Sequence, residues 1–198
     1  MRNVERSEIK DLVAYEKARE AMRARVIEVK RHRRVAVGPN LTLLFENRDT
    51  VLFQIQEMVR TERIVDDAKI QEEVDVYNAL VPDRGELSAT LFIEIPELVR
   101  MTQEKVREAV NRFQGLDRDS LWLVVDGLRI PARFESGHSG EEKMAAVHYV
   151  RFAVPDAARA ALSDEKTVVR LVVEHPHYRA ESRLARETRQ ALIEDLSA

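Results

Sequence analysis

The sequence predicts an α+β protein: a helical N-terminal half packed with a mostly antiparallel sheet of about five strands. In three segments before residue 84, apolar residues recur at helical spacing, whereas from Glu86 onward they alternate with polar residues. The 198 residues include only six glycines and six prolines, so long linkers are not expected. We therefore expect a single compact domain over 1–198, with a helical part at 1–84 and a sheet part at 85–198.

The first predicted helix runs from about Glu8 to Lys30, with Ser7 as its N-cap. Arg19 shares its apolar face, which consists of Leu12, Tyr15, Ala18, Met22, Val26 and Val29. After this helix, Gly38-Pro39-Asn40 predicts a turn between two short extended segments, Arg34–Val37 and Leu41–Phe45.

Two further helices are predicted before the sheet. Asn47 or Asp49 can cap the second helix, and the third runs from about Asp67 to Leu80, before Pro82. Projected at about 100° per residue, Glu62 falls within the apolar stripe of the second helix, which consists of Val51, Leu52, Ile55, Met58 and Val59. Glu73 falls on the inward face of the third helix, between Tyr77 and Leu80.

Strands dominate the remaining sequence. ELSATLFIEI predicts a half-buried strand, and Pro96 opens a helix to about Phe113. LWLVVDGLRIPARF predicts a hairpin with Asp126-Gly127 as its turn, and SGHSGEE a polar loop. MAAVHYVRFAV and TVVRLVVEH predict two strands joined by the short helix PDAARAALSD. A charged helix is expected from about Arg179 to Leu196.

Composition and missing motifs exclude several classes of function. The absence of cysteine excludes disulfides, thiolate catalysis and iron–sulfur ligation by this chain. No apolar run is long enough to span a membrane, and the N-terminus has no apolar signal region, so a cytoplasmic location is expected. GxxxxGK[ST], GxGxxG, GxSxG and HExxH are all absent, so nucleotide-driven and serine-hydrolase chemistry have no support.

Glu62, Glu73 and Arg19 form the first candidate site, because each is a charged residue on the predicted apolar face of its helix. Two inward carboxylates could bind a hard metal ion or form an acid–base pair. They could instead form a buried ion network in which Arg19 binds one or both glutamates, and this is the simpler interpretation. The helices lack the Glu-x-x-His pairs of a ferritin-like di-iron site.

Histidines form the second candidate site. By strand alternation His148 and His175 face inward, with Glu174 and His177 at the end of the strand that carries His175. Imidazoles and a carboxylate suit iron, zinc or manganese, whereas the alternative is that each inward histidine is a hydrogen-bonded core residue. His32 and His138 lie in polar surroundings.

The basic run VKRHRRVAV is the third candidate. It has no interleaved aromatic residues and no helix-turn-helix or zinc-finger pattern, so the run does not support nucleic-acid binding. A solvated helix end, where cations complement the helix dipole, is the simpler interpretation.

The blocks RRVAVGPNLTLLFENRDTVLFQIQEMVRTERI, EEVDVYNALVP, ELSATLFIEIP and VHYVRF resemble a bacterial domain-of-unknown-function family of about this length. Its members are typically encoded beside rubrerythrin and a heterodisulfide-reductase-like iron–sulfur oxidoreductase. The resemblance implies a role in peroxide defence or electron transfer by association, and it supplies no active site. The matched blocks contain many polar residues, which suggests an interface or pocket: Arg19, Glu46, Arg48, Gln56, Glu57, Arg60, Glu62, Glu73, Tyr77, Asn78, His148 and Arg151.

Two functions follow as expectations. The first is a non-enzymatic accessory or binding protein that works with a redox partner, rubrerythrin or the iron–sulfur oxidoreductase, which would hold the iron cofactors. The second is a metal-binding protein or metal-dependent enzyme that uses the inward glutamates, or His148, His175, His177 and Glu174, to bind iron, manganese or zinc. The sequence does not decide whether the protein is an enzyme.

Overall fold

The computed structural model describes residues 1–95, 101–135 and 146–198, and its helices and strands confirm the predicted α+β class. A 3-10 turn at Arg6–Glu8 precedes the first helix. The α-helices are α1 (Leu12–Arg31), α2 (Arg48–Thr61), α3 (Asp67–Asn78), α4 (Gln103–Asn111), α5 (Asp156–Leu162) and α6 (Arg186–Ser197). The strands are β1 (Arg34–Val37), β2 (Leu41–Glu46), β3 (Glu86–Ile93), β4 (Leu121–Val125), β5 (Leu128–Pro131), β6 (Arg133–Phe134), β7 (Val147–Ala153), β8 (Val169–His175) and β9 (Tyr178–Arg183).

The strands form two antiparallel sheets rather than one sheet of about five strands. Sheet A has the order β1-β2-β3-β7-β6, and sheet B has the order β5-β4-β8-β9. The first two strands lie within the part predicted as helical, yet β2 pairs with β3 from Leu41↔Ile93 to Glu46↔Ser88. The helical part and the sheet part therefore share sheet A.

The main core lies between the two sheets. Alternate residues of sheet A, such as Leu43, Leu91 and Val150, form one apolar cluster with Leu123 and Leu171 of sheet B. All five side chains are fully buried. The alternation seen in the sequence therefore points the apolar side of both sheets into a single core.

The outer face of sheet A is covered by the helical layer of α1, α2 and α3. All six residues of β2 are buried, and Glu46, which does not face sheet B, contacts Thr50 of α2. A second apolar cluster joins Val51 and Ile55 of α2 to Val74 of α3 and to the N-terminal segment before α1. Sheet A is thus the middle layer of the protein. Among the described residues, none of the helices combines the length and apolar character needed to cross a membrane.

The C-terminal tail differs from its prediction as a helix from Arg179. Residues Tyr178–Arg183 form β9, which pairs with β8 from His175↔Tyr178 to Arg170↔Arg183, and α6 begins only at Arg186. The helix-favouring residues of this segment are overridden because β8 offers a free edge for pairing. The Asp126-Gly127 turn is confirmed, since both residues have positive φ, as a tight hairpin requires. Pro96 and the whole of SGHSGEE, which includes His138, lie outside the described residues.

A buried ion pair attaches sheet A to the last helix. Arg33, immediately before β1, donates from Nη2 to Oδ1 of Asp195 on α6 at 2.9 Å, and Nη1 contacts Oδ2. The two side chains are only 6% and 4% exposed, so each charge depends on the other for its solvation. Arg33 therefore belongs to the protein interior, although the sequence places it in the basic run.

We predict that Asp195→Leu will lower the free energy of unfolding by about 3–5 kcal/mol, because Arg33 would stay buried without its counter-charge. The double variant Arg33→Met with Asp195→Leu should recover most of that loss. Urea denaturation measures both, with Arg170→Gln in an exposed pair as a control that changes stability by less than about 1 kcal/mol. A double variant no more stable than the single one would contradict the interpretation.

Candidate functional site

Glu57 on α2 is the centre of an ion network between α1 and α2. Arg19 binds its carboxylate with two donors, Nε to Oε1 at 2.7 Å and Nη2 to Oε2 at 2.9 Å. The hydroxyl of Tyr15 donates to Oε1 at 2.6 Å, and Arg60 Nε lies 3.4 Å from the same oxygen. Arg19 thus has Glu57 as its partner, and the expectation that it binds Glu62 or Glu73 is wrong.

The electrostatics of this network keep Glu57 ionised. The hydrogen bond from Arg19, followed by the one from Tyr15, outweighs burial and lowers the pKa of Glu57 to about 2. Burial, reinforced by the hydrogen bond to Glu57, raises the pKa of Tyr15. Near neutral pH the carboxylate is therefore a hydrogen-bond acceptor whose partners are fixed, which is the arrangement of a structural contact.

Glu62 is exposed, and the prediction that it lies within the apolar stripe is wrong. Helix α2 ends at Thr61, so Glu62 is its C-cap and Arg63 adopts the left-handed conformation with φ 54°. The N–H of Ile64 donates to the carbonyl of Val59 at 2.9 Å, which completes a Schellman motif. Ile64 packs against the helical cluster in the position that the projection gave to Glu62.

Glu73 and Glu62 lie in one surface groove instead of facing each other in the interior. The groove has a volume of about 420 Å³ and also includes Arg63 and Lys69. Burial, followed by the charge of Glu62, raises the pKa of Glu73. Tyr77, one turn further along α3, has a pKa that is raised chiefly by burial. Metal binding or acid–base chemistry by the two carboxylates stays a prediction.

Two side-chain amides fasten the N-terminal segment to the helical layer. Gln56, fully buried on α2, accepts from the N–H of Lys10 at 2.8 Å and donates to the carbonyl of Lys10 at 2.9 Å. Asn78 at the end of α3 binds both backbone groups of Val4 in the same way, at 2.9 Å each. Each amide therefore replaces a strand partner for one residue of the segment.

Glu46 and Arg48 form contacts of the same structural kind. Glu46, buried at the end of β2, accepts hydroxyl donors on both carboxylate oxygens, Thr50 on Oε2 and Thr90 on Oε1 at 2.6 Å. Arg48 pairs with Glu8 in the 3-10 turn. These contacts connect α2 to sheet A on one side and to the N-terminal segment on the other.

Arg151 on β7 connects sheet A to the end of α3. Its Nε donates to Glu135 at 2.8 Å and its Nη1 to Glu86 at 3.0 Å, while Nη2 binds the carbonyl of Ala79. Cations suit the carbonyl end of a helix, where backbone acceptors lack intrahelical partners. Arg151, one of the polar residues in the sequence blocks that resemble the family, thus fixes the position of α3.

The candidate metal residues lie in different parts of the sandwich. His148 is buried on sheet A, where its ring meets Phe134 edge-on, and His175 is buried on sheet B, which confirms that both face inward. His175 Nε2 lies 3.0 Å from the carbonyl of Gln114, and its Nδ1 accepts from the N–H of His177 at 3.3 Å. Glu174, which is exposed, pairs with Arg129.

These contacts occupy both ring nitrogens of His175 and place its proton on Nε2. Within residues 1–95, 101–135 and 146–198, no group of three or more metal-ligating side chains is positioned around one point. Metal binding by this protein stays a prediction.

A cavity of about 530 Å³ lies where α5, β9 and α6 meet, and no sequence pattern predicts it. Arg183, Arg186 and Arg189 line it together with Gln190, over an apolar floor that includes Leu162 and Leu184. The three arginines are three residues apart in the sequence, and in a predicted helix this spacing indicates a solvent-exposed face. Their convergence depends on the change from β9 to α6 at Leu184-Ala185.

Comparison with known proteins gives a family for this fold. The family described as "Protein of unknown function (DUF3501)" matches residues 3–196. The chain belongs to the DUF3501 family. The chain is similar to a protein of unknown function from Burkholderia pseudomallei K96243 whose crystal structure is known, with 35% sequence identity and a TM-score of 0.88. The alignment covers 98% of this chain and 100% of the Burkholderia chain. No curated protein matches. The predicted resemblance to a family of unknown function is confirmed, while its genomic association stays a prediction.

For this DUF3501 protein, Glu57→Gln tests the central ion network. Because the folded pKa of about 2 lies below the ordinary glutamate value of 4.5, the charged form stabilises the fold above pH 4.5. This contribution is lost as the pH falls towards 2. We predict that the variant is about 1–2 kcal/mol less stable near neutral pH, with the difference narrowing in acid. Urea denaturation against pH measures this, and Glu28→Gln in an exposed pair is the control. A difference that did not change with pH would contradict the assignment.

The amide contact to the N-terminal segment gives a second prediction. Gln56→Leu removes both hydrogen bonds to Lys10, so we expect a loss of about 2–3 kcal/mol in the free energy of unfolding. Amide exchange should also accelerate in residues 4–10, because that segment loses its attachment. Gln71→Leu, on the exposed face of α3, should leave both unchanged. Equal effects of the two substitutions would refute a specific role for Gln56.

Proposed function

We propose that this DUF3501 protein is a non-catalytic accessory protein that binds a redox partner holding the iron cofactors. One observation carries the proposal: the polar residues of the matched blocks are engaged chiefly in joining structural layers. Glu57 binds Arg19, Glu46 binds two threonine hydroxyls, and Gln56 binds the backbone of Lys10. Catalytic groups instead need an open position beside a substrate pocket.

The same network supports a binding role because it makes the helical layer rigid. Arg151 holds the end of α3 on sheet A, while Gln56 and Asn78 hold the N-terminal segment on the helices. A preorganised surface binds a partner without the entropy cost of ordering it. The exposed face of α1, which includes Arg23, Lys17 and Val13, is one surface of this layer.

The partner class follows from the family resemblance rather than from the fold. Members of the family are typically encoded beside rubrerythrin and a heterodisulfide-reductase-like iron–sulfur oxidoreductase, so these are the proposed partners. Contacts between redox proteins are commonly small and transient, which predicts micromolar affinity, about −8 kcal/mol.

Direct binding to the two purified neighbours tests the proposal. Biolayer interferometry should detect one of them in its oxidised or reduced state with micromolar affinity, and a rubrerythrin from a genome that lacks the family serves as the control. The partner's peroxide turnover or electron-transfer rate should change when the accessory protein is added. The proposal fails if neither neighbour binds at about 100 µM in either oxidation state.

A further inference from the structure

We infer that the cavity between α5, β9 and α6 binds a small organic oxyanion, a carboxylate or phosphate ester that carries a short apolar group. This inference is independent of the accessory role, because it concerns the isolated protein and a small molecule. The cavity volume of about 530 Å³ lies within the roughly 300–1,000 Å³ of ligand pockets.

The walls of the cavity combine apolar residues with three arginines and the carboxylate of Glu165. Leu162, Val169 and Leu184 are buried residues of the sandwich core that form an apolar floor. Arg183 and Arg186 lie at the rim. A ligand that satisfies both surfaces has an apolar body towards the core and an anionic group towards the rim.

Arg189 holds the cavity wall in place. Its Nε donates to the carbonyl of Leu162 at 2.5 Å and its Nη1 to the carbonyl of Thr167 at 3.1 Å, while Nη2 contacts the carbonyl of Asp164. One guanidinium thereby fixes the end of α5 and the following loop against α6. These contacts hold the cavity wall without a ligand, which lowers the entropy cost of binding.

The two rim arginines are available to an anion. The guanidinium of Arg183 has no hydrogen bond or ion pair within the part of the chain that the structure describes. Arg183 lies opposite Arg170, whose own partner is Glu181. Like charges facing each other across two strands are unfavourable, so an anion at Arg183 would relieve the repulsion. Arg186 pairs with Glu165, but both side chains are more than two-thirds exposed, so a ligand could displace that contact.

The start of α6 adds donors to the same cavity. Ala185, which lines the cavity, is the N-cap of this 12-residue helix and provides no side-chain hydrogen bond to its first turn. Backbone N–H groups at such a helix start carry partial positive charge and favour an oxyanion. Arginine forks, with their two parallel donors, match the geometry of carboxylate and phosphate oxygens.

Isothermal titration calorimetry with phenyl phosphate tests the inference. Inorganic phosphate, which lacks the apolar group, and benzyl alcohol, which lacks the charge, are the controls. We expect phenyl phosphate to bind most tightly and to raise the melting temperature with concentration. Benzyl alcohol should not bind measurably. The binding of phenyl phosphate should weaken at higher salt, since a charge contact contributes to it.

A matched pair of variants locates the site. Arg183→Gln removes the free cation of the rim, and we expect it to weaken phenyl phosphate binding about fivefold or more. Arg179→Gln removes an exposed cation four residues away on the same face of β9, outside the cavity, and should leave affinity within about twofold. Arg183→Lys should retain part of the affinity, because it keeps the charge and loses the fork.

Two outcomes would overturn the inference. One is the absence of measurable binding of phenyl phosphate at about 10 mM, far weaker than a built site gives. The other is an equal loss of affinity in Arg183→Gln and Arg179→Gln, which would show attraction to general surface charge. Both variants lie at exposed positions of β9, and an unchanged melting temperature without ligand confirms that each is folded.

Discussion

The burial of sheet A on both faces is the constraint on which the rest of the structure depends. Its inner face meets sheet B in an apolar core, so its polar side chains other than that of His148 lie on the outer face. A polar group buried there is stable only if it has a hydrogen-bond partner. Thr90 meets that requirement through Glu46, whereas Glu46 and Arg151 meet it through α2 and the end of α3, and the helices thereby acquire a fixed position.

The same need for hydrogen-bond partners explains why many candidate site residues have structural roles. A carboxylate that contacts an arginine and a tyrosine hydroxyl is also found in catalytic sites. Here, however, Glu57 has a pKa of about 2 and fixed hydrogen-bond partners. The arginine side chains that line a cavity lie elsewhere, where α6 meets sheet B. There, the change from strand to helix at Leu184-Ala185 gathers cations around a cavity without using all of them in the fold.

Particular residues show why part of the candidate site could be predicted and part could not. The inward positions of His148 and His175 follow from strand alternation, which depends only on neighbouring residues in the chain. The position of Glu62 could not be obtained in this way, because the helical projection continues past Thr61, where a Schellman motif ends the helix and gives the inward place to Ile64. The prediction missed the partner of Arg19 because it considered the two glutamates on apolar faces, Glu62 and Glu73, and Glu57 is not among the residues of the apolar stripe.

By itself, the sequence determined the fold class, most helices and strands, the Asp126-Gly127 turn and the apolar faces, since these depend on periodicity and local backbone preference. Only the tertiary structure decided the division into two sheets, the pairing of β9 with β8 and the contacts of Arg33, Arg151 and Gln56. Such contacts join residues far apart in the chain. Which residues pair depends on which polar groups the fold buries, since each buried group needs a partner. The arginine-lined cavity is of the same kind, because it exists only where three separate elements meet.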